Sequence, residues 1–133
     1  MMPEQLEMAL RLLLAAVLGG IIGFQREMWG KPAGMRTLAL IGVGSGLFGV
    51  ISLLGYLGNN TSAIAAGVVT GVGFLGAGAI LHRHGGVEGL TTAATIWVAA
   101  GVGLAAGAGL YILAPAVTAM AYLILLLPQR KQK

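Results

Sequence analysis

Residues 37–81 read TLALIGVGSGLFGVISLLGYLGNNTSAIAAGVVTGVGFLGAGAIL and contain no charged residue and no histidine. That is roughly twice the ~20 apolar residues a helix needs to cross a bilayer. The stretch is broken once near its middle, by Gly58-Asn59-Asn60-Thr61-Ser62, a run of turn formers. A helix, a turn and a returning helix fit it. Residues 89–129 repeat the pattern, again without charge, with a break at Gly107-Ala108-Gly109. Each silent stretch therefore crosses twice. The charged islands before, between and after them must lie on one side of a membrane.

Composition agrees. The chain has 133 residues, 57% hydrophobic and 9% charged, with a mean hydropathy of +0.90. A water-soluble domain carries about 25% charged residues, so lipid is the expected solvent for a single domain, 1–133. The absence of cysteine excludes disulfides, thiolate catalysis and Cys-ligated metals. The net charge of +4 fits helix orientation and anionic lipid headgroups, and no nucleic-acid partner is expected. A cleaved signal peptide needs a basic leader. The first residues, with Glu4 and Glu7, are acidic, so the first apolar run is expected to be retained as a span.

The pattern predicts an all-α membrane protein, a compact bundle of five transmembrane helices over residues 6–24, 37–57, 63–81, 91–106 and 110–127. Pro115, inside the last, is expected to kink it. Lys and Arg in short loops mark the cytoplasmic side. Arg26, Lys31, Arg36, Arg83, Arg130, Lys131 and Lys133 fall on one side and Arg11 alone on the other. The expected orientation is N-terminus outside and C-terminus in the cytoplasm.

Most of the 23 glycines lie inside the predicted helices. Small residues recur four apart: Ala15, Gly19 and Gly23; Gly42 and Gly46; Ala63, Gly67 and Gly71; Gly103 and Gly107. Helices in lipid associate through close backbone approach at such positions. The expectation is glycine-rich packing faces, with some left for a second copy.

Several motifs have a bland account beside a functional one. Residues 71–76, GVGFLG, match G-x-G-x-x-G, but a dinucleotide site needs a preceding strand, and glycine packing is the preferred reading. Gly42-Val43-Gly44-Ser45-Gly46 could break helix two at mid-membrane, as transporters do. Asn59-Asn60-Thr61-Ser62 contains overlapping glycosylation sequons, read instead as a tight polar turn. His82-Arg83-His84 is read as a solvated loop; an arginine between two histidines disfavours a metal, and none is expected. Arg11, one turn after Glu7, is placed to pair with it or to form a polar intramembrane site.

The densest polar segment is residues 25–37, QREMWGKPAGMRT, in which Gly30, Pro32 and Gly34 set the turn. Anchoring by basic residues and an interfacial Trp29 is one reading. A functional surface that holds Arg26, Glu27, Lys31, Arg36 and Thr37 in place, with Gly34 shaping the loop, is the other. Residues 88–97, EGLTTAATIW, open the fourth helix. Thr91 and Thr92 are placed to cap it. Thr91 and Thr95 share a face, so their hydroxyls can reach a neighbouring helix or a ligand. Glu88, Thr91, Thr92 and Thr95 complete the candidate patch.

Three blocks, taken together, resemble the membrane domain of the MgtC/SapB family of bacterial inner-membrane proteins. They are Arg26-Glu27 with residues 30–34 and Arg36-Thr37, residues 71–78, and residues 89–95 with Trp97. The resemblance covers about residues 10–127. It implies a five-helix inner-membrane domain linked to low magnesium, intracellular survival and virulence, or acid tolerance. It implies either a transporter or a regulator of other membrane machinery, including ATP synthase. This chain departs from the pattern at Gln25, usually acidic; at Gly67, usually glutamine; and in the 59–61 turn, which lacks an aspartate. A following cytoplasmic domain is expected to be missing.

Three functions follow for comparison. A transporter of magnesium needs oxygen ligands in near-octahedral array, and Glu4, Glu7, Glu27 and Glu88 all lie away from mid-membrane. A small regulatory or interaction protein, docking on copies of itself or on another membrane complex, fits the small-residue faces and is ranked first. An enzyme is not expected, because no nucleophile–base set or cofactor motif stands in a credible setting.

Overall fold

Leu6, Leu10, Leu13, Val17, Ile21 and Phe24 recur every three or four positions, and all face outward. Ala15, Leu18 and Ile22, on the opposite side of the same helix, are buried. A row of large apolar residues left outside, with Gly19 and Gly23 buried beside these on the inner face, is the reverse of a water-soluble helix. It is the pattern of a helix whose outer solvent is lipid. A computed structural model of the chain describes residues 2–54, 61–83 and 86–128. It contains α1 (Met2–Met28), α2 (Met35–Leu54), α3 (Thr61–Gly78), β1 (Leu81–Arg83), β2 (Gly86–Glu88), α4 (Leu90–Gly107) and α5 (Leu113–Ile124).

The fold is the expected five-helix membrane bundle, and α1, α2 and α4 form its centre. α1, α2 and α4 are long and apolar enough to cross a membrane, whereas α3 and α5 are shorter apolar helices. Two buried clusters stack along the axis. One joins Ala15, Leu18, Val102, Ala106 and Ala114; the other joins Ile22, Leu38, Ile96 and Ala99.

Glycine explains how close the central helices come. A Cβ at Gly19 would lie under 3.0 Å from the Leu38 carbonyl oxygen, and one at Gly42 would strike the Ala15 carbonyl. Gly103 and Gly107 meet the Gly42 and Gly46 backbone in the same way. The expected stripes on α1, α2 and α4 are thus backbone-to-backbone contacts. The stripe on α3 is not. Gly67, Gly71, Gly73 and Gly78 have open space where a Cβ would be.

Helix ends follow local rules. Gly30, at φ +66°, ends α1: the Gly30 N–H donates to the Glu27 carbonyl and the Lys31 N–H to that of Arg26. Gly109, at φ +84°, ends α4 identically, through Gly109 N–H to Ala106 and Leu110 N–H to Ala105. Both are Schellman motifs, which put glycine in the left-handed region.

Three expectations change. The 82–88 segment is not wholly loop: β1 and β2 pair antiparallel in the register Leu81↔Glu88, His82↔Val87, Arg83↔Gly86. The last helix is shorter than residues 110–127, because turns occupy 108–112 and 125–127. Pro115 consequently falls in its first turn, where proline is tolerated; the bonds from Ala114 N–H to the Leu110 carbonyl and from Ala116 N–H to the Ile112 carbonyl continue on either side of it. Helix α2 runs unbroken through residues 42–46, so that glycine run tightens packing on α1 and α4 rather than opening the helix. Residues 71–76 are helical, within α3, and no strand precedes them among the described residues. The 59–60 sequon asparagines and the histidine motif's side chains lie outside the described residues.

Candidate functional site

The polar residues gather at the two ends of the bundle. At one end Arg11 is held on four sides. Its guanidinium donates to Glu7 Oε2 at 3.0 Å, to the Gly107 carbonyl at 3.1 Å and to the Tyr111 hydroxyl at 3.1 Å. The Tyr111 hydroxyl donates to Glu7 Oε2 at 2.9 Å, and the Tyr111 ring lies 5.9 Å from the guanidinium. The expected i, i+4 pair is present. The structure adds that Arg11 bonds a last-turn carbonyl of α4, where a cation is favoured. Arg11 thus fastens α1 to the α4–α5 turn.

At the other end lies the loop between α1 and α2. The expected patch divides there into three parts. Glu27 Oε1 accepts the Met35 N–H at 3.2 Å and caps the start of α2. Gly34 lets that carboxylate approach, because a Cβ there would lie 2.6 Å from Glu27 Oε1. Lys31, Arg36, Thr37 and Glu88 are exposed.

Arg26 is the correction. Expected on a surface, it is only 4% exposed. One turn of α1 after Ile22, it points inward among α2, α4 and the loop. Its Nε and Nη2 both donate to the Pro32 carbonyl, at 3.3 and 3.2 Å, and Nη2 also donates to Thr92 Oγ1. Thr92 is buried in the first turn of α4. It receives Arg26 instead of capping its own helix, whose N-cap is Gly89 with no side-chain cap. Thr95 is buried too, and its hydroxyl donates to the Thr91 carbonyl at 2.7 Å; Thr91 and Thr95 both border an apolar groove between α4 and α5.

Two further residues matter: Tyr111, which no pattern singled out, and Gln25, noted only as a departure from the family pattern. Tyr111 closes the Arg11 cluster from a hundred positions away, with no local signal. Gln25 is 2% exposed; its Nε2 donates to the Tyr122 carbonyl at 3.1 Å, tying α1 to the end of α5, and its Oε1 has no partner. The clue was available: a lone amide where α1 otherwise turns apolar residues inward.

Arg26, Pro32 and Thr92 bring together the first and third of the sequence blocks singled out above, and the second, residues 71–78, lies on α3. A comparison with protein families matches residues 12–133 to the MgtC family. The chain belongs to the MgtC family. YhiD of Escherichia coli K12, named as a candidate magnesium transporter, is 49% identical over 127 residues, which are 90% of this chain and 59% of YhiD. SrpB of Synechococcus elongatus is 43% identical over 122 residues, 81% of this chain and 67% of SrpB. MgtC of Brucella abortus is 47% identical over 96 residues, 72% of this chain and 40% of that protein. This chain therefore spans well under two thirds of YhiD and of the Brucella MgtC. No solved structure matches it. With its apolar helices and its family, the chain is a membrane protein.

Proposed function

We propose that this MgtC-family chain is a small regulatory or interaction protein of a bacterial inner membrane, acting under low-magnesium, acid or intracellular stress. In this reading it is not an enzyme and does not conduct ions by itself. The observation that supports it is how the buried polar groups are used. Ser45 donates to the Ile41 carbonyl at 3.0 Å, Thr95 to Thr91 at 2.7 Å and Thr118 to Ala114 at 2.9 Å. Each hydroxyl bonds back to its own helix and projects little toward a path. The carboxylates sit at the ends: Glu7 on Arg11 and Glu27 on the α2 cap. Among the described residues no group of His, Cys, Asp or Glu is arranged to hold a metal.

A regulator needs a free surface, and α3 supplies one. Gly67 and Gly71 border an apolar groove of about 560 Å³ shared with Leu40, Gly44, Phe48 and Leu75 of α2 and α3. A second copy or another membrane complex is the proposed occupant, with lipid as the alternative. In the proposed orientation, Arg26 and the 29–34 loop face the cytoplasm and Arg11 faces outside.

A second reading, magnesium-linked transport, is favoured by the name of YhiD. Magnesium flux into liposomes that hold the purified chain separates the two. The regulatory reading expects flux equal to that of empty liposomes, together with a partner recovered by crosslinking in cells. Saturable flux above the empty control would reject it.

A further inference from the structure

Arg26 carries the one charge among the described residues that is buried, and its hydrogen bonds reach only uncharged acceptors. A guanidinium withdrawn from water without a counter-charge is strongly disfavoured. The nearest carboxylate in sequence, Glu27, is turned away onto the Met35 N–H. Thr92, on which Arg26 also rests, belongs to the first turn of α4, where the helix dipole adds a second positive contribution. Two positive features therefore meet at one point, and among the described residues no negative group is bonded to them.

The Pro32 carbonyl is a poor substitute for one. A single oxygen straddles Nε and Nη2 at 3.3 and 3.2 Å. Those two N–H groups form a fork that fits two oxygens of one oxyanion, a shorter and stronger arrangement. The loop that delivers Pro32 is also under strain. Ala33, the next residue, has φ +63°, the one non-glycine positive φ among the described residues. Such strain persists where the surroundings enforce it, and it collects at ligand clamps. Lys31 and Arg36 are exposed on the same loop and at its exit, where they attract anions.

We propose that Arg26 anchors an oxyanion site closed by residues 29–34, and that its ligand is a phosphate group. The phosphate takes the place of the Pro32 carbonyl on Nε and Nη2, and the strained loop lifts to admit it. The group arrives either on a lipid headgroup or free in solution. The site stands whether the chain regulates or transports.

The test uses the full chain in phosphate-free maltoside micelles, with thermal stability read against inorganic phosphate at constant ionic strength and chloride as control. A second series adds phosphatidic acid to the micelles in place of inorganic phosphate. The wild type is expected to be stabilised in one series: in the first if the ligand is free phosphate, in the second alone if it is a lipid. Arg26→Lys keeps the charge but loses the fork, and should shift the midpoint concentration about tenfold upward. Ala33→Gly relaxes the closed loop and should weaken the response about fivefold, since the ligand must open it. Ala33→Gly folds with less strain, so it decides the matter even if Arg26 variants misfold. No stabilisation in either series, or a response unchanged in both Arg26→Lys and Ala33→Gly, would overturn the proposal.

Discussion

A single added methyl group distinguishes the glycines that hold this bundle together from those that do not. At Gly107 a Cβ would lie under 3.0 Å from the Gly46 backbone, whereas at Gly101 nothing stands within 4 Å. Gly107→Ala should therefore destabilise the protein by about 2 kcal/mol, as overpacking does. Gly101→Ala should be neutral or stabilising by about 1 kcal/mol, from helix propensity alone. Thermal unfolding in detergent measures both, and equal effects would mean that α2 and α4 are not in backbone contact. Glu27→Ala removes the α2 cap and should cost about 1 kcal/mol, with Glu27→Gln recovering most of it. A Glu27→Ala protein of wild-type stability would contradict the cap. Arg11 and the small residues on α1, α2 and α4 were legible because spacing of three or four residues puts partners on one helix face; the Glu27 cap on Met35, eight positions away in the next helix, was not. The burial of Arg26 was not. Charge alone assigns an arginine to the surface, and only the path of residues 29–34 over it turns it inward.

The elements were legible where hydropathy changed abruptly and less so where it did not. The break at 107–109 was visible because two glycines end an apolar run, and Gly109 proves to be the residue that must take positive φ. The short length of α5 was hidden, because residues 110–112 are as apolar as the helix that follows them. The β1–β2 hairpin was hidden for another reason: three residues a side carry no usable alternation. The tie between α1 and the α4–α5 turn lives at this scale as well. Arg11→Met would keep the stem and lose the bond to the Gly107 carbonyl, at a cost of about 1 kcal/mol. In a double-mutant cycle with Tyr111→Phe the two losses should be less than additive, since Tyr111 bonds the same guanidinium. Full additivity would show that the two side chains act independently.

Across the whole molecule, the alternation of charged and silent stretches predicts a chain that folds back on itself, and the contacts agree. Arg26, Pro32 and Thr92 meet at one end, and Glu7, Arg11, Gly107 and Tyr111 meet at the other. Family membership rests on the match over residues 12–133, a range that takes in Arg26, Pro32 and Thr92 at one end and Gly107 and Tyr111 at the other. The site reading depends on that two-ended arrangement lying across a bilayer, with the Arg26 loop on the cytoplasmic face. The chain has no cysteine, so introduced thiols report without background. Lys31→Cys and Ala108→Cys both lie at exposed positions. A membrane-impermeant thiol reagent applied to intact spheroplasts should label Ala108→Cys and spare Lys31→Cys, and inverted vesicles should reverse the result. Labelling of both positions from the same side would contradict the account.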